Sequence, residues 1–252
     1  MPDPTSESAS MPRPSAHASR SGGSFPARLA AIDVGSNAIR MLAAEFSDPR
    51  SYSVIARERG AVRLGRGAFA AGELDAAAMD AAVATLAGFR RGMDELGVER
   101  SRAVATSAVR ESANGATFAE RVRQDTGLEL EVIDGDEEAA LMRRAVSSRV
   151  ALAGRRWVLV DVGGGSTELS HLDADRVVRS TSYPIGAVRL LEELPPAEED
   201  LARFRRLLAE RAAALSLRAE PREPRSTGMI AVGGNIEALA RLAGHDAAGG
   251  VA

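Results

Sequence analysis

The sequence contains one local pattern twice, and this repeat constrains the fold more than any other feature. Residues 29–34 form an apolar run that ends in Asp33-Val34-Gly35-Ser36-Asn37. Residues 157–160 lead in the same way into Asp161-Val162-Gly163-Gly164-Gly165-Ser166-Thr167-Glu168. Each run reads as a buried strand closing on a glycine turn with an acid ahead of it. Behind the first turn, 39–46 and 52–57 read as two more strands. Behind the second, 168–172 and 176–180 read as a hairpin around Asp173-Ala174-Asp175. Each half then continues with a helix, a strand and a helix.

In the first half the helix spans 75–96, with Met79, Val83, Leu86, Phe89 and Met93 three or four residues apart and Gly97 as its stop. A strand at 103–106, a helix at 117–125, a strand at 130–133 and a helix from 136 toward 150 follow. The second half shows a helix at 198–217, a strand at 229–232, the turn Gly233-Gly234-Asn235 and a helix at 236–243. The chain reaches Ala252 before any counterpart of the 130–150 elements, so the second half is expected to be incomplete. Three segments result: a Ser-, Pro- and Ala-rich tail at 1–27 expected to be disordered, a first domain at 28–150 and a second at 151–252.

Composition removes several chemistries. None of the 252 residues is cysteine, which excludes disulfides, thiolate zinc sites and a cysteine nucleophile. None is lysine either, which excludes a Walker-type phosphate lysine and Schiff-base catalysis. His17, His171 and His245 are too dispersed for a zinc site. No apolar run is long enough to span a bilayer, and a cytoplasmic protein is expected. With a formal net charge of -3 the molecule does not attract polyanions as a whole, so nucleic acid is not an expected partner and phosphate must be gripped locally.

The loops offer that grip. Glycines let successive amides approach phosphate oxygens, and Ser166 and Thr167 add hydroxyls. Asp161 and Glu168 flank the run as candidate ligands of a divalent cation. The Gly233-Gly234-Asn235 turn opens a helix, where amides and the helix dipole favour anions. Taken singly, each of these loops reads more readily as a plain turn; their recurrence favours a site. Arg110, just after a strand, is placed to offer phosphate two parallel hydrogen bonds. In Asp134-Gly135-Asp136-Glu137-Glu138, capping alone accounts for an acidic first turn. Yet Glu138 shares the apolar face with Leu141, Met142 and Ala145, which suits a general base, while Glu137 points toward Arg144 and solvent.

In order, AAIDVGSNAIRML, ATSAVRES, IDGDEEAALM, LVDVGGGSTELS, YPIGAVRL and AVGGNIEAL, within about residues 28–244, resemble the signature segments of the exopolyphosphatase and guanosine pentaphosphate phosphatase (Ppx/GppA) family. The resemblance implies an α/β, actin-like ATPase (ribonuclease H-like) duplicated fold, and a cleft that takes inorganic polyphosphate or guanosine pentaphosphate with Mg2+. It implies hydrolysis of the terminal phosphoanhydride with Glu138 as general base, and Asp161 and Glu168 as the acids near metal and water. Phosphate-binding positions fall on Ser36, Asn37, Arg110, Gly163, Gly164, Gly165, Ser166, Gly233 and Gly234. A non-catalytic polyphosphate- or alarmone-binding protein and a kinase-type ATPase are the alternatives, and a homodimer stays open.

Overall fold

In the computed structural model, Ala27–Val34 (β1) buries Ala30, Ile32 and Val34 while Ala31 faces out, the alternation of a strand with one face on a core. The structure describes residues 25–174, 176–194, 200–213, 215 and 227–244. The tail at 1–24, the flanks of the helix expected at 198–217, and Asp175 therefore lie outside the described residues. Ala27 itself belongs to β1 rather than to the tail.

β1 pairs antiparallel with Ile39–Phe46 (β2), which pairs antiparallel with Tyr52–Gly60 (β3). On its other side β1 runs parallel to Arg100–Ala105 (β4), and β4 to Leu130–Val132 (β5). The second sheet holds Arg156–Val162 (β6), Thr167–Asp173 (β7), Arg176–Tyr183 (β8) and Thr227–Val232 (β9). Its order, β8-β7-β6-β9, repeats the β3-β2-β1-β4 portion of the first sheet strand for strand. Both acid-glycine turns therefore join the two central antiparallel strands of their sheets. Among the described residues, no strand lies beside β9 as β5 lies beside β4.

The helices are Ala68–Ala71 (α1), Ala76–Glu95 (α2), Ser107–Arg110 (α3), Gly115–Thr126 (α4), Gly135–Ser147 (α5), Ala187–Glu193 (α6), Leu201–Ala213 (α7) and Gly234–Leu242 (α8). α2 starts where the Asp75 carboxylate accepts the Ala78 N–H at 3.0 Å. It buries Val83, Leu86, Phe89 and Met93, each contributing about 1.5–3 kcal/mol when fully withdrawn from water. Together with Phe118 and Val122 of α4 these residues cover the first sheet. No helix is long and apolar enough to cross a membrane among the described residues.

One placement departs from the sequence order. α5 follows β5 in the chain, yet its Met142 and Val146 pack with Leu152, Leu159 and Leu172 in the core of the second half. Packing thus places the apolar stripe of α5 on the second half, within the segment expected to belong to the first. Order along a chain does not state which of two sheets a helix covers. The apolar stripe of α5 goes to the second sheet, where it lies against β7 and β8. This docking brings the first turn of α5 between the two halves.

Candidate active site

Loops from both halves line a cleft of about 770 Å³. The β1–β2 turn supplies Ser36 and Asn37, with Asp33 below them; the end of β4 supplies Thr106 and Ser107. The second half supplies Asp161, Gly163, Gly164 and Ser166 from the β6–β7 turn, and Gly233, Gly234 and Asn235 from the β9–α8 turn. The two acid-glycine turns close alike: Gly35 N–H bonds Ala38 O at 3.1 Å, and Gly163 N–H bonds Ser166 O at 2.9 Å. Asn235 ties the third turn to the second, its Nδ2 donating to Val162 O at 2.6 Å and Gly163 O at 3.1 Å.

Glu138 enters this cleft from the first turn of α5. Its side chain is only 20% exposed. Burial pushes its carboxyl up to about 8; the Glu168 charge adds to the rise and Arg110, with Nη1 3.4 Å from Oε2, partly offsets it. Asp161 is pushed up to about 7, first by burial and then by Glu168 and Asp33. Asp33 is also raised by burial, against the pull of Arg40, whose Nη1 lies 3.6 Å away. Three carboxyls with raised proton affinity, Asp33, Asp161 and Glu138, thus line one cleft, a crowding that a divalent cation would relieve.

Of the expected site residues, Ser36, Asn37, Glu138, Asp161, Gly163, Gly164, Ser166, Gly233 and Gly234 meet at the cleft. Three do not line it. Glu168 pairs directly across from Asp161 in the β6–β7 register but is 1% exposed, with Ser182 Oγ donating to its Oε1 at 2.9 Å. The carboxylate beside Asp161 at the wall is instead Asp33. Arg110 gives Nη1 to Ile133 O at 2.8 Å and to Glu138, so it faces the candidate base rather than the open cleft.

Gly165 is the third. A Cβ there would come within 2.3 Å of Ser107 Oγ and 2.4 Å of the Phe69 ring. Its bare backbone lets the β6–β7 turn press on the first half. Gly233, at φ +96°, tolerates a left-handed turn, and a Cβ on it would reach 2.5 Å from Asp161 Oδ1.

Arg189 of α6 joins the halves at this point. It is 9% exposed, donates Nε to Gly165 O at 2.8 Å and Nη2 to Glu111 Oε2 at 2.6 Å, and lies 4.0 Å over the Phe69 ring. The glycine turn of one half is thereby fixed to α1 and α3 of the other.

Sequence reasoning missed the cleft's own cations, Arg40, Arg59 and Arg241. A signal for two of them exists in the hairpin register. Asp33 pairs with Arg40, and Arg40 with Arg59, across β1, β2 and β3. Like charges directly opposite are unfavourable in a sheet unless an anion meets them.

The donor set at the wall is oxygen-only. Among the described residues no three or more His, Asp or Glu side chains are grouped to cage an ion by themselves. Asp33 and Asp161 therefore fit magnesium, which takes one or two carboxylates and completes its shell with water and phosphate oxygens.

A family model described as the Ppx/GppA phosphatase family matches residues 45–249. Exopolyphosphatase 2 of Mycobacterium tuberculosis is 36% identical over 228 residues, spanning 86% of this chain and 70% of that protein. A guanosine-5'-triphosphate,3'-diphosphate pyrophosphatase of Vibrio parahaemolyticus is 35% identical over 163 residues, or 65% of this chain and 32% of that one. Among solved structures, an exopolyphosphatase from Cytophaga hutchinsonii superposes with a TM-score of 0.72 at 29% identity, covering 85% of this chain and 69% of that one. The fold is accordingly the duplicated actin-like ATPase type. Its repeated strand order, its paired acid-glycine turns and these matches agree on one assignment: the chain belongs to the Ppx/GppA phosphatase family.

Proposed function

We propose that this chain hydrolyses the terminal phosphoanhydride of inorganic polyphosphate and releases phosphate. The observation that carries the reading is Glu138, a largely buried acid held between two phosphate-type turns, with a proton affinity in the range a general base uses near neutral pH. Similarity to proteins named exopolyphosphatase supports the choice of substrate.

The terminal phosphate sits among the amides of Gly164 and Ser166 in the turn that the Gly163 N–H closes, the turn at Gly233 and Gly234, and the polar groups of Ser36 and Asn37. Arg40, against Asp33, faces the negative charge of the substrate. Water attacks the terminal phosphorus in line with the bridging oxygen. One P–O bond forms, the anhydride P–O bond breaks, and the water proton goes to the Glu138 carboxylate. Arg110 holds Oε2 at 3.4 Å and leaves Oε1 for the water. Asp33 and Asp161 would hold magnesium, which when bound neutralises charge on the phosphate oxygens. The first half contributes Ser36 and Asn37 and the second contributes the base, so the site works only while the halves are joined.

Guanosine pentaphosphate presents the same terminal phosphoanhydride, and similarity to a protein named for it supports that substrate as the second reading. Phosphate release from long-chain polyphosphate, guanosine pentaphosphate and ATP, measured side by side with magnesium, tests these readings. Turnover of polyphosphate supports the first and turnover of guanosine pentaphosphate alone the second. Preference for ATP points to a kinase-type ATPase, and tight binding without release to a sensor.

A further inference from the structure

The cleft does not stop at Asn37 and Asn235. Both residues also line an adjoining hollow of about 510 Å³, walled by Arg63 and Arg66 from the segment between β3 and α1, and by α6. Both arginines are exposed, and neither side chain has a hydrogen-bond or ion-pair partner among the described residues. The acid on this wall, Glu192, is turned inward: its Oε1 accepts the Gly67 N–H and its Oε2 is buried. Among the described residues, the hollow therefore shows an outside ligand two guanidinium groups, with the carboxylate of Glu192 turned away from it. On a molecule of net charge -3, such a patch continuous with a phosphate cleft is not general background.

The patch also has an end. Arg63 and Arg66 border a further hollow, and there Glu73 and Asp75 share the wall. A polyanion leaving the cleft is attracted past Asn37 and Asn235 and meets acids beyond the two arginines.

Resting on the proposed polyphosphate reading, we infer that Arg63 and Arg66 form a distal subsite for the phosphate chain behind the terminal residue. The class of ligand is a linear phosphate polyanion longer than the cleft itself. Guanidinium groups pair with the non-bridging oxygens of such a chain, and their exposure lets the chain slide forward after each phosphate is released. Arg63 and Arg66 then govern preference for chain length, and chemistry at Glu138 stays the same.

The test is Arg63→Gln/Arg66→Gln, with Arg50→Gln/Arg91→Gln as a charge-matched control outside the hollow. Steady-state release and calorimetric binding are measured with long-chain polyphosphate, tripolyphosphate and guanosine pentaphosphate. The expected result is a rise in KM and Kd for the long chain of roughly tenfold, within the range for two exposed ion pairs, with a weaker salt dependence. The long-chain to tripolyphosphate ratio falls accordingly, and the control pair leaves that ratio at its wild-type value. Equal effects on all three ligands, an effect confined to guanosine pentaphosphate, or no effect would overturn the subsite. If no substrate is turned over, the proposed hydrolysis fails, and the binding measurements still decide the subsite.

Discussion

Glu138→Gln should stabilise the folded protein in alkaline buffer while removing its chemistry. The folded carboxyl is pushed up to about 8 from 4.5, chiefly by burial. A raised acid keeps its proton in the folded state over a range where the unfolded chain has already lost it. Stability therefore falls as pH rises from about 4.5 to about 8 and stays at the lower level above that. At about 1.4 kcal/mol for each tenfold change in proton affinity, the ceiling of this penalty is roughly 5 kcal/mol. Water reaching the partly open side chain, and the Arg110 contact that Gln weakens, reduce the gain to about 1–2 kcal/mol. For a chain of this size that is about 2–8 °C in Tm.

Thermal melts of wild type and variant at pH 4.5 and pH 8.5, in EDTA, read the difference directly. The variant should gain at pH 8.5 and show almost no gain at pH 4.5. Magnesium should narrow the gap at pH 8.5, because a cation near Asp161 lightens the charge that Glu138 faces. A gap of the same size at both pH values, or a variant less stable at pH 8.5, would refute the placement of Glu138 in a desolvated acidic cluster.

Further outcomes follow from the same geometry. Arg189→Ala should cost about 1–3 kcal/mol in urea unfolding, because it removes a buried cation between the halves, and should raise KM by loosening the Gly165 turn. Arg189→Lys keeps the charge without the forked contacts and should recover only part of that loss. Gly165→Ala places a methyl against Ser107 and Phe69 and should destabilise by about 1–3 kcal/mol. Asp33→Asn and Asp161→Asn should each raise the magnesium concentration for half-maximal phosphate release by about tenfold or more. An unchanged magnesium titration in both variants would remove these residues from the ion. Phosphate release by the wild type should rise with pH as Glu138 loses its proton, with the limb moving to lower pH as magnesium is added.

Much of this was legible because local rules repeat. β2 begins and ends where its apolar pattern does, and α2 runs from the Asp75 cap to Glu95, just ahead of the Gly97 stop. α1, α3 and α6 were not read, since four to seven residues are too few to display a helical period. The direction of Glu138 followed from its stripe on α5, but the sheet that the stripe covers is a tertiary fact. Glu168 was expected beside an ion because it flanks the glycine run; β7 is a central strand buried at most of its positions, so its acid lies inside. Arg110 stands out in the sequence by its place at a strand end, whereas Arg40 and Arg59 become visible only when three strands are laid in register.

The most direct test of the catalytic assignment is phosphate release from long-chain polyphosphate, with magnesium near pH 8, by the wild type and by Glu138→Gln after both are shown to be folded. The wild type should release phosphate and the variant should be slower by about a hundredfold or more, the share a positioned base supplies. Equal rates in the two proteins would contradict the assignment of Glu138 as the base.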